Sequence, residues 1–284
     1  MCEKAREIFP ITGWRVNPKN GLISCLHTKN RDFVISTAGC EIGNWLGFFS
    51  QDELAGVKCS INNRSIVVEE EKLVSRFDIS LPHARFALEL KDSIEEGYWC
   101  RHYLATAIES SWLGDFVIRL GVSSKVWQTA GNGSRYSHHR GWNRYLQYPV
   151  KDVVLKGGGM VLQAEIESSA DLNRMATLSY WRDDPSTSWI VHHRHLVKSN
   201  DWDYIIGRFR NATRTSFESS WLSSPFVWRP LWAFNERWIS RLPYIRLPAF
   251  QTQGVIEMKK GQKLSMKTRV GLSLDTAVKS SILE

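Results

Sequence analysis

The chain has 284 residues, with 37 lysines and arginines against 29 aspartates and glutamates, a formal net charge of +8. Hydrophobic residues make up 43% and charged residues 23%, globular proportions that exclude global disorder. No apolar run approaches the roughly 18–20 residues that a helical bilayer span requires. Residues Met1 to Trp14 mix Glu3, Lys4, Arg6 and Glu7 with few apolar side chains. They lack a signal peptide's hydrophobic stretch, so the expected location is the cytoplasm. The five cysteines (Cys2, Cys25, Cys40, Cys59, Cys100) form no Cys-x-x-Cys pair and read as small buried hydrophobes rather than a zinc ribbon or disulfide framework.

In chain order, short alternating runs dominate and helical periodicity is scarce. Strands are expected over Gly21–His27, Phe33–Ser36, Ser65–Glu69, Ser75–Ile79, Arg85–Leu90, Cys100–Ile108 and Phe116–Val122. They continue over Val153–Leu155, Met160–Ile166, Arg174–Tyr180, Trp189–Val197, Asp203–Phe209, Gly254–Met258 and Lys263–Leu274. Breaks are expected at Asn62-Asn63, Gly131-Asn132-Gly133, Gly157-Gly158-Gly159 and Asp183-Asp184-Pro185. Many short strands at this spacing predict an all-β fold, a large antiparallel β-sandwich in one domain. Residues 214–250 interrupt the rhythm with Pro225, Pro230, Pro243 and Pro248. This stretch reads as a long ordered loop excursion with a helical turn over Ala233–Ile239.

Two segments carry a resemblance. Ile256-Glu-Met-Lys-Lys-Gly-Gln-Lys-Leu-Ser-Met-Lys-Thr-Arg-Val-Gly-Leu272 resembles the "Leu-x-Pro-Gly-Glu, long strand" ending of galactose-mutarotase-like β-supersandwich domains. Asp92–Arg119, containing Tyr98-Trp99-Cys100-Arg101-His102-Tyr103 and Trp112-Leu113-Gly114-Asp115-Phe116-Val117, resembles a long paired-strand region of the same folds. The resemblance implies a supersandwich architecture and a carbohydrate ligand. It transfers no catalytic residue, because the paired histidines and glutamate of aldose mutarotases are not found in their family contexts.

Three segments concentrate reactive side chains. Ser134 to Tyr145 holds Arg135, Tyr136, His138, His139, Arg140, Trp142 and Arg144. A phenol or imidazole beside guanidiniums suits proton transfer at a sugar carbon, with arginine holding an anionic substituent. The alternative is an exposed basic turn. On Trp189–Val197, alternation puts Trp189, Val191, His193 and His195 on one face and Ile190, His192 and Arg194 on the other. The His193/His195 pair could bind a metal, line a sugar groove or be satisfied core. No carboxylate follows at a cupin-like spacing, so no metal and no cofactor is expected.

Residues 214–250 carry Trp228, Arg229 and Trp232, which could stack on pyranose faces and hold acidic groups, or seal one end of the sandwich. Gly157-Gly158-Gly159 reads as a hairpin turn. The carboxylate pairs Asp183/Asp184 and Glu95/Glu96 read as solvated turns or faces.

The expectation is acid–base chemistry of epimerase or lyase type on an acidic saccharide. Tyr136, His138, His139, His193 and His195 would transfer protons. Arg135, Arg140, Trp142, Arg144, Trp228, Arg229 and Trp232 would bind the ligand. A non-catalytic carbohydrate-binding or assembly module is the rival. Nucleic-acid binding ranks last, for want of a Lys/Arg stripe or motif.

Overall fold

A computed structural model describes residues 8–44, 47–69, 71–131, 136–140, 144–150, 152–170, 175–184, 186–197 and 256–275. These are all β, and every strand pair among them is antiparallel. The strands are β1 (Ile11–Asn17), β2 (Leu22–Thr28), β3 (Asp32–Thr37), β4 (Cys40–Gly43), β5 (Phe48–Ser50), β6 (Ala55–Val57) and β7 (Ser60–Val68). Next come β8 (Lys72–Leu81), β9 (Ala84–Glu95), β10 (Tyr98–Ala107), β11 (Ser111–Leu113), β12 (Asp115–Ser123), β13 (Thr129–Gly131) and β14 (Tyr136–His138). The last are β15 (Arg144–Val150), β16 (Asp152–Gly157), β17 (Met160–Ala170), β18 (Met175–Asp184), β19 (Ser188–Val197), β20 (Ile256–Met258) and β21 (Lys263–Leu274).

Two sheets make the sandwich. One runs β14-β13-β16-β17-β21-β10-β9-β8-β7; the other runs β1-β2-β3-β12-β19-β18-β15, with β4, β5 and β6 attached along β12. A small β11–β20 ribbon completes the set. Alternation explains the layering: along β8, Leu73, Ser75, Phe77, Ile79 and Leu81 are buried, with more accessible residues between them. The hairpins are short where the sequence supplies left-handed residues. Glu96 and Gly97 (φ 53 and 82°) join Glu95 to Tyr98, and Gly158 and Gly159 (φ 57 and 73°) join Gly157 to Met160.

The interior holds two apolar clusters. One gathers Trp127, Trp181, Trp189, Val191 and Trp99; the other gathers Phe77, Phe86, Tyr103, Phe116 and Met266. Tyr103 of one sheet stacks on Phe116 of the other, 4.0 Å between centroids. Arg101 and Asp92, directly paired across β10 and β9, form an ion pair with both side chains buried. Asp92 also accepts from Trp99 Nε1 at 2.7 Å, and Arg101 donates to the Ala38 carbonyl.

Two breaks and one carboxylate differ from expectation. Asn62-Asn63 lies inside β7, where a register shift between Ile61 and Asn63 absorbs the irregularity. Asp183 and Asp184 belong to β18, and Asp183 is buried, so it is neither a turn nor a solvated face. The expected strand at 203–209 and the whole 214–250 excursion lie outside the described residues.

Candidate functional site

The outer face of the β12–β19 sheet, opposite the apolar clusters, carries a cluster of buried charge. β12 presents Phe116, Ile118, Leu120 and Val122 to the core. Strand alternation therefore sends Asp115, Val117 and Arg119 the other way. Register then brings neighbours together: Arg119 lies opposite His192, and Val117 opposite both Arg194 of β19 and Glu41 of β4. Arg182 of β18, paired with Ile190, joins the same face.

The groups are held closely. Arg119 Nη1 donates to Glu41 Oε1 at 2.6 Å and stands 3.3 Å from Asp52 Oδ2. Arg194 grips Asp115 through two parallel bonds, Nε to Oδ1 at 2.6 Å and Nη2 to Oδ2, the fork geometry that guanidinium and carboxylate share. Arg182 Nη2 lies 3.3 Å from Asp184 Oδ2. A Cβ on Gly39 would fall 2.6 Å from Asp52 Oδ1, so the missing side chain there admits the Asp52 carboxylate. Glu41, Asp115, His192 and Arg194 are all buried.

Burial moves two of these groups in opposite senses. The Glu41 carboxyl is raised by desolvation, with Arg119 pulling the other way. His192 is pushed well below the ordinary imidazole value, first by desolvation and then by the Arg119 and Arg194 charges. One group is thereby biased to keep a proton and the other to remain a neutral acceptor.

The expected site residues are divided by the fold. His193 and His195 lie in the interior, on the face alternation assigned them. His193 Nδ1 bonds Ser179 Oγ at 2.7 Å, and His195 Nε2 lies 3.2 Å from the Ser265 carbonyl of the opposite sheet while stacking on Phe116. Burial drives His193 down to about 3. Tyr136 and His138 are exposed on β14, at the edge of the other sheet, with Lys156 Nζ 4.7 Å above the Tyr136 ring.

His139 is half-buried. Its Nε2 lies 3.1 Å from Asp183 Oδ1 and its ring meets Trp189 edge-on. The other Asp183 oxygen accepts from the Arg140 backbone N–H at 3.1 Å. Arg144 begins β15 opposite Asp183. Arg135, Trp142, Trp228, Arg229 and Trp232 lie outside the described residues.

Sequence reasoning passed over Glu41, Asp52, Asp115, Arg119, Arg182 and His192 as site residues. The usable signal was the alternation of β19, which already placed His192 with Arg194 and apart from His193.

No protein-family model matches this chain, and no curated protein matches it. Similar solved structures include a galactose mutarotase-like protein from Clostridium acetobutylicum (6% identity, 93% of this chain and 94% of that one, TM-score 0.46). Another is a galactose mutarotase-like protein from Lactobacillus casei (9% identity, 94% and 100%, TM-score 0.44). A third is a galactose mutarotase related enzyme from Lactobacillus acidophilus (6% identity, 95% and 97%, TM-score 0.46).

Proposed function

We propose that this protein is a carbohydrate-active catalyst that moves protons at a sugar ring, an epimerase acting from the outer face of the β12–β19 sheet. The observation that carries the reading is Glu41 and His192 flanking Arg119, the carboxyl raised above its ordinary value and the imidazole held below its own. A carboxyl biased to keep its proton beside an imidazole biased to stay neutral supplies an acid and a base at one place. In this reading neutral His192 takes the proton of the anomeric hydroxyl, and the Glu41 carboxyl gives a proton to the ring oxygen. The C1–O bond of the ring opens, and reclosure on the other carbonyl face returns both protons and inverts the centre.

The sugar class rests on the resemblance of residues 92–119 and 256–272 and on the alternation of donors and acceptors at the face. Three guanidiniums (Arg119, Arg182, Arg194) stand against four carboxylates (Glu41, Asp52, Asp115, Asp184), a balance suited to hydroxyls more than to a polyanion. The acidic saccharide expected from the arginine-rich segments is therefore a second arm of the test. His193 and His195, facing the core, serve packing in this reading, and Tyr136, His138 and His139 are not assigned proton transfer.

The test follows anomer interconversion of neutral aldoses and of uronic acids by NMR. The wild type accelerates at least one class, and Glu41→Gln and His192→Asn each lower kcat by about 100-fold or more. A wild type that leaves both classes at the solvent rate overturns the reading, as do variants that retain full activity.

A further inference from the structure

On the same sheet, at its β1–β2–β3 end, lies a cluster apart from that face. Leu26 and Phe33, paired across β2 and β3, point into the core. Their neighbours Cys25, His27, Asp32 and Val34 therefore share the outer face, Cys25 itself being buried there. His27 is directly opposite Asp32, and His27 Nδ1 sits 2.7 Å from Asp32 Oδ1. Cys25, two residues before His27, brings its thiol into the same place. The sulfur, imidazole nitrogen and carboxylate oxygen all lie within 4.8 Å of one another. Among the described residues this is the one group of three such side chains so close.

We propose that Cys25, His27 and Asp32 form a site for one divalent transition metal of the zinc type. Thiolate, imidazole and carboxylate are the three donors zinc accepts, and three protein ligands leave a fourth tetrahedral position for water. A thiolate selects against magnesium and calcium, which take oxygen ligands. Gly13, opposite His27 on β1, puts no side chain on the imidazole flank, where a Cβ would be in van der Waals contact 3.7 Å from the ring. A cation would enter past His27 and Asp32, whose side chains are 32% and 53% exposed, to reach the buried Cys25 thiol. Binding replaces the His27–Asp32 hydrogen bond with metal–ligand bonds and releases the Cys25 thiol proton to water. Arg15, whose Nη2 is 4.0 Å from Asp32 Oδ2, competes with the cation for that carboxylate. The bound ion would pin β2 to β3 at the end of the sheet.

The test uses the reduced, chelator-treated full chain titrated with Co²⁺ and then Zn²⁺. One equivalent of Co²⁺ should produce a thiolate-to-cobalt charge-transfer band, and Zn²⁺ should erase it. Cys25→Ala should abolish the band. His27→Asn and Asp32→Asn should each weaken binding by on the order of tenfold or more, at least what the loss of an outer-shell partner costs. Arg15→Gln should tighten it. If Cys25→Ala fails to fold, the two exposed-ligand variants still decide. Absence of the band in the wild type overturns the site, as does a band that persists in Cys25→Ala or an affinity indifferent to both His27→Asn and Asp32→Asn.

Discussion

Asp92 sits in the interior with three donor atoms aimed at it: Trp99 Nε1 at 2.7 Å, Arg101 Nε at 2.7 Å and Arg101 Nη2 at 3.0 Å. A carboxylate this buried survives only because every donor is placed. Removing it leaves a guanidinium in the core with its countercharge gone. Asp92→Ala should cost about 3–5 kcal/mol in urea denaturation. Asp92→Leu combined with Arg101→Met should recover part of that, because no charge is left unpaired although the Trp99 Nε1–H and the Ala38 carbonyl lose these partners. A single variant losing less than about 1 kcal/mol would show the pair to be solvated. This pairing was readable in principle. Once Glu96-Gly97 is taken as a two-residue turn, Glu95 faces Tyr98, and three steps outward Asp92 faces Arg101. The Arg119–His192 neighbourhood had no such clue, since 73 positions separate the two and their meeting depends on which strands become adjacent.

Turns show how far local chemistry dictates each element. Gly97 and Gly158 both occupy left-handed backbone, yet their surroundings differ. A Cβ at Gly97 would come within 2.9 Å of Pro10 Cβ, whereas one at Gly158 would meet nothing within 4 Å. Gly158→Ala should therefore cost only the backbone term, about 1–2 kcal/mol. Gly97→Ala should cost more, because it also pushes on the segment whose Ile11 N–H binds the Gly97 carbonyl at 2.8 Å. Thermal denaturation of the two variants ranks them, and equal losses would mean Pro10 yields freely. Most expected strands lie on strands of the structure because their alternation was clean. Most of the misses share a cause, although β1 and β15, seven residues each, were passed over as well. β4, β5, β6, β11, β13 and β14 are three or four residues long, too short for a period of two to register. At β4 the pattern is hidden altogether: all four residues are buried, since Glu41 is enclosed on one face while Cys40 and Ile42 face the core.

Over the whole molecule, the enclosed histidines tie stability to acidity. Unfolded, an imidazole takes a proton near 6.5, but folded His193 resists until about 3, and His192 shifts the same way. As pH falls below 6.5 the unfolded chain binds protons the folded one refuses, so stability drops by about 1.4 kcal/mol per pH unit for each such site. Glu41, raised rather than lowered, works in the opposite sense above its ordinary value of 4.5 and moderates the slope there. Urea titrations at about pH 7 and about pH 4.5 should show the loss, and His193→Gln should flatten the dependence by one proton whatever it does to the level. A slope unchanged in that variant would mean His193 charges in place.

The all-β class and the places of the longer strands along the chain were legible from periodicity. Which sheet face would hold the chemistry was not, because alternation separates two faces without saying which one meets the opposite sheet.

One consequence of the strand order concerns timing. β21, later in sequence than every other described strand, lies between β17 and β10. On the ribosome, two half-sheets emerge first, each with a raw edge of unsatisfied N–H and C=O groups waiting for the same missing ribbon. Until that ribbon arrives the nascent chain is open to mispairing with its neighbours. Its insertion acts as the keystone, converting two adhesive fragments into one sealed layer.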